Sequence, residues 1–182
     1  MYIKKMMGTK CYLSPIDSND AEQYAVWLND MTVTEYLQTA SSIISLEGEK
    51  ELLKKFAQEH IYGIVDAQTD RLIGNTGLFA VNHLHRTAEV GIFIGDTDYW
   101  NKGYGHEALS LLLDYSFKIL NLHSILLRVY AFNQRAVACY EKIGFKKIGE
   151  IRDGLIRNMT YHNIVLMDIL PTDFYEQNPQ YK

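Results

Sequence analysis

The sequence predicts a mixed α/β (α+β) fold: roughly six to seven strands in one mostly antiparallel sheet with a parallel pair at its centre, flanked by roughly four to five helices. Three observations carry this expectation. An apolar run at residues 90–95, a helical pattern at 103–120 and an alternating run at 124–132 follow one another. That β-α-β order makes the two strands parallel. Residues 71–95 read as strands broken by short turns, the mark of an antiparallel meander. Residues 21–60 instead carry apolar side chains at helical spacing.

Each element follows from its own residues. Residues 10–14 form a first strand, stopped by Pro15, and Asp17, Ser18, Asn19 and Asp20 then offer helix caps. Ala21, Tyr24, Ala25 and Leu28 recur on one helical face, with Trp27 beside them. A short helical piece is expected at 33–37, and a longer helix at 46–60 with Leu52, Leu53 and Phe56 as its apolar stripe. Strands at 62–66, 71–81 and 87–95 are separated by turns at 67–70 and 82–86. Gly74 and Gly77 inside the second of these mark a bulge or a close backbone approach. Ala108, Leu112, Tyr115 and Ile119 give the helix at 103–120 a face to lay on the sheet. After the strand at 124–132, a helix starts at Asn133 and closes at Gly144. Strands at 145–151 and 162–169, joined by a loop through Asp153 and Gly154, complete the sheet.

Composition narrows the function classes. The chain has 182 residues, 47% of them hydrophobic and 22% charged, and is read as one domain over residues 1–182 with a core that needs neither disulfide nor metal. Net charge is −4 and the sequence pI about 5.8, which speaks against a broad nucleic-acid or membrane surface. Cys11 and Cys139 form no disulfide framework or metal pair, and no window has the length of a signal core or membrane span. A cytoplasmic protein is expected. His83 and His85 near Glu89 do not make a metal site, because they lie on a turn with no further ligand around them.

The chemistry concentrates in Tyr99-Trp100-Asn101-Lys102-Gly103-Tyr104-Gly105-His106-Glu107, between the apolar run and the long helix. Gly103 and Gly105 let successive backbone N–H groups turn toward one anion, and the helix adds the positive end of its dipole. Lys102 and His106 supply donors. A pair of glycines before a helix is also a common tight turn, so this loop alone leaves phosphate binding and simple turning open.

This loop, with Asn133, Ala136, Tyr140-Glu141-Lys142 and Gly144-Phe145 downstream, resembles the GNAT superfamily of acetyl-CoA-dependent N-acetyltransferases, in particular its ribosomal-protein N-terminal acetyltransferase branch. The resemblance runs from Tyr12 to Ile169. Trp100 stands where the superfamily usually has Gln or Arg, and His106 where Thr is common. The turn Asn82-His83-Leu84-His85-Arg86 before Ala88-Glu89 is locally similar to spermidine N-acetyltransferases.

The resemblance implies a GNAT-like sheet whose two parallel strands splay apart. Acetyl-CoA is then the co-substrate, with no metal: Ile92, Phe93 and Ile94 offer a strand edge to pantetheine, Trp100, Asn101, Lys102, Gly103, Tyr104, Gly105 and His106 take the pyrophosphate, and Asn133 and Tyr140 contact the cofactor. It further implies direct transfer of acetyl to a primary amine. Tyr140 would protonate the departing thiolate, Glu89 would act as base through water, and the amide of Ile92 would steady the oxyanion. For each the residues leave a plainer reading open: Tyr140 as a packed ring, Glu89 as a rim ion pair, Asn133 as an N-cap. The acceptor wall is expected from Asp30, Glu35, Tyr36 and Glu89, with His83 and His85 at its edge. A peptide α-amine is the leading acceptor, against a polyamine, amino sugar or aminoglycoside. A silent acyl-CoA-binding domain and a nucleotide-binding module are the competing classes, and the resemblance leaves room for a homodimer.

Overall fold

In the computed structural model, which describes residues Met1–Lys182, the N-terminal segment makes two strands. These are β1 (Met6–Met7) and β2 (Cys11–Pro15), joined by a turn closed by Gly8 N–H to Cys11 O at 2.9 Å. β1 goes beyond the sequence expectation because two residues cannot display a period. Helices α1 (Ala21–Asn29), α2 (Met31–Thr34) and α3 (Leu46–Phe56) follow. α2 starts earlier than expected because the Asp30 carboxylate caps it, accepting from Thr32 N–H at 2.8 Å. α3 ends at Phe56 rather than near residue 60: Gln58 N–H reaches Lys55 O and Glu59 N–H reaches Phe56 O, bonds one residue too short for an α-helix.

The rest of the chain gives β3 (Ile61–Asp66), β4 (Leu72–Asn82), β5 (Thr87–Ile94), α4 (Tyr104–Lys118), β6 (Ser124–Tyr130), α5 (Gln134–Ile143), β7 (Lys146–Arg157), β8 (Thr160–Ile169) and α6 (Pro171–Gln177). The eight strands are ordered β1-β2-β3-β4-β5-β6-β8-β7. β5 and β6 are parallel, as the intervening helix requires, and their ladder covers Thr87–Glu89 against Ser124–Leu126. β5 itself continues to Ile94. No helix is long and apolar enough to cross a membrane.

The loop expected at Asp153 and Gly154 is instead part of a longer hairpin. β7 runs on to Arg157, with a register shift between Ile151 and Leu155, and the turn falls on Asn158 and Met159 at φ 50° and 58°. The Asn163 side chain accepts from Asp153 N–H at 3.1 Å, which absorbs the irregularity inside the ladder. α6 was also not expected. Pro171 opens it, and the Asp173 carboxylate accepts from Leu170 N–H at 3.3 Å.

The chain forms two compact units, Met1–Leu78 with Ile92–Leu112, and Phe79–Gly91 with Leu113–Lys182. In the first, Tyr24, Trp27 and Phe93 pack ring on ring with centroids 5.6–6.1 Å apart, over buried Tyr12, Leu53 and Val65. Gly74 is obligatory there: a Cβ on it would stand 2.1 Å from Phe93 O. In the second unit, Ile125, Leu127 and Val129 alternate inward on β6, and Val165, Met167 and Ile169 do the same on β8. Phe117 and Phe174 close that core at 5.8 Å.

Candidate active site

In the first unit the chain leaves β5 through a sequence of local constraints. Gly95 and Asp96 N–H both donate to Ile73 O, and the Asp96 side chain accepts from Asp98 N–H at 3.1 Å, which starts a 3-10 turn over Thr97–Tyr99. Asn101 has φ 59° and Gly103 φ 86°, so the backbone doubles back twice before α4 begins. Tyr99 and Tyr104 clamp the two ends of the loop edge to face, 5.0 Å apart.

At the start of α4, Glu107 N–H donates to Gly103 O at 3.1 Å. The N–H groups before it in that turn lie outside the ladder of the helix itself. A Cβ placed on Gly103 or Gly105 would meet nothing closer than 3.6 Å (Lys10 Cε) and 3.8 Å (Ile92 Cδ1). Both glycines are thus free of tight contacts, with only the Lys10 stem and Ile92 at van der Waals distance, which fits a diphosphate approaching main-chain amides at a helix N-terminus. Asn101, Lys102 and Gly103 are exposed.

Trp100, where the superfamily usually carries Gln or Arg, has a definite job. Its indole N–H donates to Ile94 O at 2.9 Å and ties the loop to the end of β5. Ile92, Phe93 and Ile94 are half-buried, with Phe93 held in the aromatic cluster and Ile92 beside Gly105.

The second unit holds the other expected residues. Ala88 and Val90 point into the core, so Glu89 faces the opposite way, half-buried, and both its oxygens meet Arg128 Nε at 3.0 and 3.2 Å. Asn133 caps α5, its side chain accepting from Ala136 N–H at 3.2 Å. Gly144, at φ 115°, ends that helix. Tyr140 lies between, its ring 5.9 Å from Phe145. Burial pushes the Tyr140 phenol above the ordinary tyrosine range, with neighbouring Cys139 adding to the shift and Arg135 opposing it. Burial also raises the Cys139 thiol, against Lys142 and Arg135, which disfavours the nucleophilic thiolate.

The turn before Glu89 is built for shape. Asn82 accepts from His85 N–H at 2.9 Å, and Arg86, at φ 58°, donates to Asn121 through Nε and Nη2 at 2.6 and 2.7 Å. His83 and His85 are exposed, and no group of three or more His, Cys, Asp or Glu side chains converges to hold a metal ion. Asp30 spends one carboxylate oxygen on the cap of α2, while Glu35 is exposed at the far end of that helix.

Two partners escaped the sequence. Arg128 sits on the same alternating strand face as Leu126, and a parallel neighbour carrying Glu89 was the available signal. Glu107 accepts three backbone N–H groups, from Thr9, Lys10 and Cys11, at 3.0, 2.7 and 2.8 Å. Nothing local announces a contact 97 residues apart.

Residues 10–146 match the acetyltransferase (GNAT) domain model. Spermidine N(1)-acetyltransferase of Vibrio cholerae serotype O1 (El Tor Inaba) is 36% identical over 120 residues, 66% of this chain and 68% of that protein. The enzyme of the same name from Escherichia coli K12 is 34% identical over 105 residues, and this chain spans 56% of its length. The crystal structure of spermidine N-acetyltransferase from Vibrio cholerae in complex with CoA and spermine superposes with a TM-score of 0.82 at 30% identity, covering 92% of this chain and 99% of that one. None of these three is a ribosomal-protein N-terminal acetyltransferase, so the branch suggested by the sequence gives way, and the local turn at 82–86 was the better guide. By its fold, its glycine loop and the length of these matches, the chain belongs to the GNAT acetyltransferase family and is an acetyl-CoA-dependent N-acetyltransferase.

Proposed function

We propose that the acceptor is a linear polyamine rather than a peptide α-amine. The observation that carries this reading is the match to a spermidine N-acetyltransferase, over 92% of the chain in fold and 66% in sequence. Net charge −4 is compatible with a polycationic substrate.

Acetyl-CoA supplies the acetyl group as a thioester. The acceptor must lose a proton before it attacks, because alkyl ammonium groups have pKa values near ~10. In this proposal Glu89 takes that proton through water, its carboxylate held in place by Arg128. The Ile92 amide donates to the carbonyl oxygen as charge develops there. Tyr140 gives its phenolic proton to sulfur as the carbon–sulfur bond breaks. The phenol is protonated at neutral pH in any case, and burial raises it further, which weakens the driving force for transfer.

The test is a mass-spectrometric screen of acetyl-CoA turnover against spermidine, spermine, N-terminal peptides and amino sugars. Acetylated polyamines with unmodified peptides are expected. A modified peptide α-amine beside untouched polyamines overturns the acceptor and leaves the family assignment standing.

A further inference from the structure

The carboxylate of Glu107 does more than cap a turn. By accepting from Thr9, Lys10 and Cys11 N–H at 3.0, 2.7 and 2.8 Å, it ties the start of β2 to the first turn of α4. Hydrogen bonds to an ionised acceptor are strong ones, so three of them fix the main chain at Lys10. The side chain of Lys10, itself exposed, then lies along the glycine loop. Its Cε and Cδ are 3.6 and 3.9 Å from where a Cβ on Gly103 would stand, and its Nζ is 6.0 Å from the centre of the Tyr104 ring.

We infer that Lys10 is a further coenzyme A-binding residue, placing its ammonium against the diphosphate at Gly103. The glycine loop contributes amide dipoles and Lys102, but Lys10 adds a second full charge delivered from a different element. Gly103 leaves the room: with no Cβ, the lysine stem and the phosphate can both come close to the same main-chain turn. Tyr104 gives the stem and ammonium a ring to lie against, which limits the freedom lost on binding. The inference rests on acetyl-CoA as co-substrate and not on the identity of the acceptor.

The experiment compares the wild-type enzyme with Lys10→Gln and Lys10→Arg, using acetyl-CoA, 3′-dephospho-acetyl-CoA and acetyl-pantetheine as donors, together with coenzyme A thermal shifts that need no acceptor. Lys10→Gln is expected to raise KM for acetyl-CoA about fivefold to tenfold with kcat nearly unchanged, and Lys10→Arg to recover most of the loss. The same loss is expected with the 3′-dephospho donor and none with acetyl-pantetheine, which lacks the diphosphate. The melting temperature without ligand should not move, since the Glu107 contact uses the main chain. An unchanged KM and coenzyme A shift in Lys10→Gln overturns the inference. A loss that disappears with the 3′-dephospho donor, or persists with acetyl-pantetheine, overturns the assignment to the diphosphate. If polyamines prove not to be the acceptors, the thermal shifts still decide the role of Lys10.

Discussion

Arg128 Nε faces both carboxylate oxygens of Glu89, at 3.0 and 3.2 Å, just past the Glu89–Leu126 rung where the β5–β6 ladder stops. A half-exposed ion pair of this kind is worth roughly 0.2–1 kcal/mol, so stability alone is a thin reason for it. If Glu89 relays a proton, Glu89→Gln should lower kcat by about 10²-fold while the melting temperature moves only slightly. Arg128→Gln should cost a similar small amount of stability and far less activity. Steady-state kinetics beside thermal melts decide it: small and equal losses of kcat in the two variants would reduce Glu89 to an ion-pair partner.

Tyr140 has two occupations in view, a ring packed on Phe145 and a phenol raised by burial. Tyr140→Phe keeps the ring and removes the proton. Its kcat should fall by about 10²-fold, with coenzyme A affinity within a few-fold of the wild type. Full turnover in this variant would return Tyr140 to the core.

The two loop glycines are not equal as tests. Gly103 sits at φ 86°, where any side chain strains the backbone, whereas a Cβ on Gly105 meets only Ile92 Cδ1 at 3.8 Å. Gly105→Val should therefore remain folded and lose the rise in melting temperature that coenzyme A gives the wild type by mass action. A shift of wild-type size in a folded Gly105→Val protein would remove the cradle.

Alkaline stability follows from the buried phenols and thiols. Burial and then the hydrogen bond to Asp70 push Tyr12 from 10.0 up to about 12, and burial with Asp114 does the same to Tyr175. Burial and Glu107 raise the Cys11 thiol above its ordinary 9.0. In each case the fold favours the protonated form, so its contribution is fully present below the unfolded value and is lost as pH rises toward the folded one. Stability should be flat through neutral pH, begin to fall near 9 and drop steeply between 10 and 12, with a shallower drop in Tyr12→Phe. Melting curves across that range that stay level would sink the account.

Local order in the chain determined much of this protein. The β-α-β succession fixes β5 and β6 as parallel because a crossover helix allows little else. Asn133 and Gly144 bracket α5 through caps that need only their own neighbours. Gly103 is legible for the same reason, since its positive φ is a property of one residue. Tertiary structure decided what depends on distant partners. Trp100 becomes a tie to Ile94 and Glu107 a clasp on Thr9, Lys10 and Cys11, because hydrogen-bond partners are chosen by proximity after folding. Gly154 reads as a turn by composition, yet it lies inside β7, since Asn163 and the cross-strand ladder outweigh a local preference of about 1 kcal/mol. The likeness to spermidine N-acetyltransferases was legible only in the short turn at residues 82–86, because likeness of fold is spread along the whole chain and substrate choice depends on which side chains converge after folding.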